Sequence, residues 1–146
     1  MVDEDTAVPE QETAESRAVA KLRAVQAAQA NYRAVHGYYD SLECLVLGNC
    51  TPQAYPPRYL SADVVGSMSA GEYRFELFAG ARAAARRGEP LSPTATSDYA
   101  LVAMPVNRSV HKSFCADARR EIYVSDPGVR PSASSGRCDD TRHRLR

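Results

Sequence analysis

The stretch Ala14–Gly37, AESRAVAKLRAVQAAQANYRAVHG, restricts most what this chain can become, because no other segment keeps a helical period for so long. Ala18, Leu22, Val25, Gln29, Tyr32 and His36 recur at intervals of four and three, so they share one face of an α-helix. At about 1.5 Å per residue this helix is a rod of roughly 36 Å, as long as a small domain is wide. Thr13 is placed to cap its start and Gly37 to stop it. Ala18, Leu22, Val25, Gln29 and Tyr32 form the expected core face. Ala20, Ala24, Ala27 and Ala34 lie on the other side, where a solvated helix usually carries charge. Alanine is the best helix former, which is one account of them. The other is that the helix is covered twice, by its own domain and by something else, which makes the alanines a packing face.

A chain of 146 residues fits one domain with room for a real core. Its formal net charge is zero, so no bulk field draws it to nucleic acid or to an anionic membrane. The charge is nevertheless divided. Residues 1–73 hold ten acids against five bases, and residues 74–146 hold eight acids against thirteen bases. That polarity suits either head-to-tail packing or simple solubility.

Four cysteines, Cys44, Cys50, Cys115 and Cys138, lack the C-x-x-C spacing of zinc or redox sites, and the three histidines are scattered. Paired disulfides in an oxidising compartment are the better reading. Four cysteines allow three connectivities. The local one, Cys44–Cys50 with Cys115–Cys138, asks least of the fold and would contribute about 2.4 and about 3.4 kcal/mol in the chain-entropy model. No stretch reads as a signal peptide or reaches the roughly 20 apolar residues of a membrane span. A chain with disulfides needs an export route, so the expectation is a native N-terminus lying further upstream.

Along the chain, residues 1–13 read as an acidic, flexible lead-in. After the helix, residues 38–71 form a loop: Tyr38 and Tyr39 lead to a short helical turn or tight loop closed by the first cysteine pair, then to a proline-rich connection pinned by Tyr55, Tyr59 and Leu60. Residues 72–124 hold the sheet. Glu72–Phe78 alternates, with Tyr73, Phe75 and Leu77 on one face and Glu72, Arg74 and Glu76 on the other, as a half-buried antiparallel strand does. Residues 79–97 read as a long mobile excursion, 98–104 as the second strand, and 113–117 with 121–124 as a hairpin. Residues 125–138 form a C-terminal loop and 139–146 a disordered tail, with order ending where Cys138 ties the chain down. The expected fold is α+β: one long N-terminal helix packed across a four-stranded antiparallel sheet, with a disulfide-tied C-terminal loop.

Catalytic constellations are sparse. There is no G-x-S-x-G elbow, Gly-rich phosphate loop or H-E-x-x-H. His36, His111 and His143 fall in three separate regions. Cys115 has His111 near it in sequence, but Cys138 is its better partner. Asp139 and Asp140 lack the further oxygen ligands at set spacing that calcium needs. Arg82, Arg86 and Arg87 have no interleaved aromatics, so DNA contact there is a weak prospect beside a solvated loop. The reading is a protein that is not an enzyme, with no catalytic residues, metal or cofactor.

Taken together, these segments resemble the globular region of type IV pilins and type II secretion pseudopilins of bacteria. The resemblance rests on Ala28-Gln29 with Tyr32 following, Gly37, Tyr38 or Tyr39, Leu42 and Leu45, and Glu72–Leu77. It rests also on the Y-x-x-x-A-x-P of Tyr99–Pro105 and on Phe114, Asp117 and Ile122 in F-x-x-D-x-x-G-x-I. It covers roughly residues 14–124. Arg120 stands where that hairpin has glycine, Glu72 replaces another glycine, and the family's apolar N-terminal half-helix is not in this sequence. The resemblance implies a pilin-like fold and a structural subunit, major or minor, of a cell-surface or periplasmic filament, with other pilin-like subunits as partners. It also implies that the Cys115–Cys138 loop is an exposed contact surface. The alternative is a soluble periplasmic or secreted recognition module that keeps the fold without polymerising.

Overall fold

Thr13 starts α1 (Ala14–His36) with a reciprocal cap. Its Oγ1 accepts from the Ser16 N–H at 3.0 Å, while the Ser16 Oγ accepts from the Thr13 N–H at 2.9 Å. At the far end Gly37 adopts φ 88°, and its N–H closes on the Arg33 carbonyl. In this computed structural model residues 13–48, 50, 58–69, 71–85 and 90–145 are described.

Ala18, Leu22, Val25, Gln29 and Tyr32 are all buried, together with Ala14, Gln26 and Ala28. Beyond α1, Ser41 caps α2 (Leu42–Leu47) and Ser61 caps α3 (Ala62–Ser67). Tyr59 and Leu60 pin the connection between them by donating backbone N–H groups to the Leu45 carbonyl; Tyr55 lies outside the described residues. Helix α3 does not follow from the sequence reading, which has only a loop there.

Four strands then build an antiparallel sheet in chain order: β1 (Tyr73–Ala79), β2 (Tyr99–Pro105), β3 (Ser113–Asp117) and β4 (Ile122–Ser125). Phe75 pairs with Ala103, Leu101 with Ala116, and Phe114 with Val124, so one face carries Tyr73, Phe75, Leu77, Leu101, Phe114 and Ile122. That face meets α1, which lies over β2 and β3, and together they make the main core. The architecture is therefore α+β, with one long helix on a four-stranded antiparallel sheet.

The other sheet face holds a smaller cluster of Ala100, Val102, Cys115, Tyr123 and Cys138, flanked by Phe78, Met104 and Ala133. Its cover is a minimal hairpin, β5 (Ala133–Ser134) and β6 (Arg137–Cys138), inside what reads in sequence as a plain loop. Gly136 makes this seat possible: its φ is +73°, and a Cβ there would meet the Gly80 nitrogen at 2.6 Å.

Two stretches that read as mobile in the sequence carry backbone hydrogen bonds where they are described. The excursion of residues 79–97 folds back on itself wherever it is described. Gly80 donates to the Asp98 carbonyl, Ser97 to Ala81, Ala83 to Ala95, and Thr96 exchanges backbone hydrogen bonds with Tyr39. Its small residues let two extended arms approach closely, and Thr96 Oγ1 donates to the Asp98 carbonyl at 2.7 Å. The described chain beyond Cys138 is hydrogen-bonded as well. Val124 donates to the His143 carbonyl at 2.8 Å and Leu145 to the Ile122 carbonyl at 2.7 Å, so residues 143–145 pair along the outer edge of β4. Leu145 packs against the core there, so an apolar anchor holds this tail as well as backbone bonds.

Candidate functional site

Three features carry the expected interaction chemistry: the outward face of α1, the lock at its C-terminal end, and the disulfide-tied loop on the far side of the sheet. On α1, Ala20, Ala27 and Ala34 are exposed beside Asn31, and Val35 is 57 % exposed. Ala24 is not part of that free face. It is half-buried and packs against the core cluster. The open stripe is thus shorter in alanine than the four-residue set suggests, and uncharged along its centre.

The lock at the helix end comes from the inward residues. The Gln29 side-chain amide grips the backbone of one residue on both sides, donating to the Asp40 carbonyl at 2.7 Å and accepting the Asp40 N–H at 3.1 Å. The Asp40 side chain is fully buried and takes its hydrogen bonds from neutral donors: Tyr32 Oη at 2.8 Å, the Ser41 N–H at 2.9 Å and the Thr94 hydroxyl. Burial, and then the bond to this carboxylate, raises the Tyr32 pKa far above the ordinary phenol value. His36 stacks on Tyr32 with ring centroids 4.2 Å apart, so it belongs to the aromatic end of the core. Gln29 and Tyr32 are legible as inward residues; Asp40, their partner, is not, since a lone aspartate after two tyrosines gives no sign of burial.

The cysteines pair as the local connectivity expects. Cys44–Cys50 closes the turn after α1 with Cα atoms 5.4 Å apart, and Cys115–Cys138 staples β3 to β6 with Cα atoms 5.9 Å apart. A second buried carboxylate reinforces the latter. Asp117 accepts from Arg119 and, at 3.0 Å, from the Cys138 N–H, while the Arg119 guanidinium donates to the Cys138 carbonyl at 2.9 Å. On the helix side, Gln26 donates to the Asp117 and Glu121 carbonyls. The outer loop residues 126–130 are exposed.

Other candidates are dispersed. Arg82 spends its guanidinium on the Pro93 and Ser92 carbonyls, and Arg86 and Arg87 lie outside the described residues. His111 faces Glu15 at 3.9 Å, His36 lies at the helix end and His143 on the β4 edge, so no two histidines converge. Among the described residues no three His, Cys, Asp or Glu side chains gather as metal ligands. Asp140 is held by Arg142 and Asp139 by Ser132 and Ser134, which lowers both carboxyl pKa values. A cleft of about 680 Å³ runs beside the start of α1, floored by Val19, Phe114, Val124 and Leu145 and rimmed by Arg23, Lys112 and Asp126. Two disulfides are compatible with an oxidising, extracytoplasmic setting, and among the described residues no helix is long and apolar enough to cross a membrane. Compared with known proteins, the chain matches no family model, no curated protein and no solved structure.

Proposed function

We propose that this domain is a non-enzymatic structural subunit, pilin or pseudopilin in kind, of a type IV pilus or type II secretion-like filament outside the cytoplasm. One observation carries the reading: the central outward stripe of α1 presents Ala20, Ala27, Asn31 and Ala34 to solvent with no charged side chain among them. Small side chains let helix backbones approach closely, and a rod bound on one side to its own sheet keeps the other for neighbours. The buried Gln29–Asp40 grip and the two disulfides suit a rigid building block. The exposed loop before Cys138 then serves as the contact surface towards other subunits or a target.

The test is assembly in cells expressing the whole gene. Ala27→Glu removes the chain from the sheared filament fraction while its cellular level and the melting temperature of the isolated domain stay unchanged. Filaments that incorporate the variant normally overturn the proposal. The second reading, a soluble periplasmic or secreted recognition module, draws on the cleft between α1 and β4, whose apolar floor and charged rim suit a ligand. That reading predicts no effect of Ala27→Glu on partner capture and a clear effect of Val19→Glu.

A further inference from the structure

The two edges of the sheet are treated differently. Residues 143–145 cover the β4 edge through backbone hydrogen bonds. The β1 edge has no such cover among the described residues. Glu72 accepts from Val106 and Gly80 donates to Asp98, so in the alternating antiparallel pattern the even-numbered residues of β1 bond to β2. The N–H and C=O groups of Tyr73, Phe75, Leu77 and Ala79 therefore point outward, away from the sheet. α1 lies mainly over β2 and β3 and reaches towards β1 through side chains, Arg17 on Glu72 at 2.8 Å and Lys21 over the Phe75 ring.

Charge along the edge is arranged in a way that selects a partner. Arg74 and Glu76 are exposed, and neither has an ion pair among the described residues; Arg74 touches only the Gly71 and Tyr73 carbonyls. We propose that β1 is a self-complementary docking edge for a second copy of this chain, antiparallel and centred on Phe75. In that register Phe75 faces Phe75 of the second copy and Tyr73 faces Leu77, and all of them offer outward backbone groups to one another. Arg74 then lies opposite Glu76, and Glu76 opposite Arg74, in the closely spaced positions where cross-strand side chains interact most. Moving the two-fold axis to Arg74 sets two arginines face to face, and moving it to Glu76 sets two glutamates face to face. A two-fold at Tyr73 sets Arg74 opposite Glu72, but that carboxylate is already held by Arg17 at 2.8 Å. Charge thus favours the register on Phe75, and the result is one continuous sheet across an isologous interface. This inference is independent of the observation that carries the filament reading, the outward stripe of α1.

Sedimentation of the purified chain over a concentration series tests it. The wild type shifts from 15.9 kDa towards twice that mass as concentration rises. Arg74→Glu and Glu76→Arg, each alone, weaken the dimer about tenfold, since two attractive pairs become repulsive. Mixed together, the two single variants form a heterodimer, and the double swap restores self-association. Unchanged far-UV spectra and melting temperatures show that these exposed substitutions leave the fold intact. A wild type that stays monomeric throughout, or a dimer indifferent to the charge swaps, overturns the proposal.

Discussion

Arg120 sits in the turn between β3 and β4 with φ 71°, a conformation that costs an L-residue with a Cβ roughly 1–2 kcal/mol. Its side chain is exposed, and the turn is closed by its own N–H donating to the Asp117 carbonyl. Arg120→Gly removes the strain and returns part of the gain as unfolded-chain entropy, so stability rises by about 0.5–1 kcal/mol in chemical denaturation. Tyr32 behaves in the opposite way. Tyr32→Phe leaves the Asp40 Oδ2 without its donor in a fully buried site, which costs about 1–3 kcal/mol by the same measurement. Losing the hydroxyl therefore outweighs any gain in apolar contact.

The elements that were legible in sequence are those with a period. Helix α1 announces itself through twenty-three residues of three-and-four spacing, and β1 through the alternation of Tyr73, Phe75 and Leu77 with charges. Helix α3 has six residues and includes Gly66, too short and too glycine-broken to register as periodic. Strands β5 and β6 have two residues each, and their position is decided by contacts made elsewhere. The buried carboxylates were hidden for a related reason. Asp40 meets Thr94 across 54 positions and Asp117 meets Cys138 across 21, separations that no local pattern records. The hairpin of β5 and β6 depends on bare backbone at its turn. Gly136→Ala meets both a positive φ and the Gly80 backbone, at 2.6 Å from its nitrogen, so it loosens this cover by about 2 kcal/mol or more. Hydrogen exchange then rises at Arg137 and Cys138 before it rises in β2.

Across the whole molecule, buried phenols shape the response to alkali. Burial is the main cause of raised pKa values at Tyr32, Tyr73 and Tyr99, with nearby carboxylates adding to it. A raised folded value means that the folded state holds its proton more tightly than the unfolded chain. The resulting stability is complete below the unfolded phenol value of about 10 and is lost as pH climbs through and above it. Burial also raises the Tyr59 and Tyr123 values. Alkaline titration of phenolate absorbance therefore shows five of the eight tyrosines ionising late, with Tyr32, Tyr73 and Tyr99 latest and together with unfolding. Removing the larger staple acts in the same global way: Cys115→Ala with Cys138→Ala lowers stability by about 3 kcal/mol, visible as a drop in denaturation midpoint with the sheet retained.

Those staples also set how far the chain can be drawn out. The residues between Cys44 and Cys50 and between Cys115 and Cys138, separations of 6 and 23, never join the extensible thread while the sulfurs stay bonded. At up to about 3.5 Å per residue, and after subtracting the span each bridge already covers, they withhold roughly 90 Å of contour length. Pulled from its two ends, an oxidised molecule gives a short unfolding step and a reduced one a step longer by that amount. Tension along the chain bypasses the surface loop before Cys138 and leaves its shape closed.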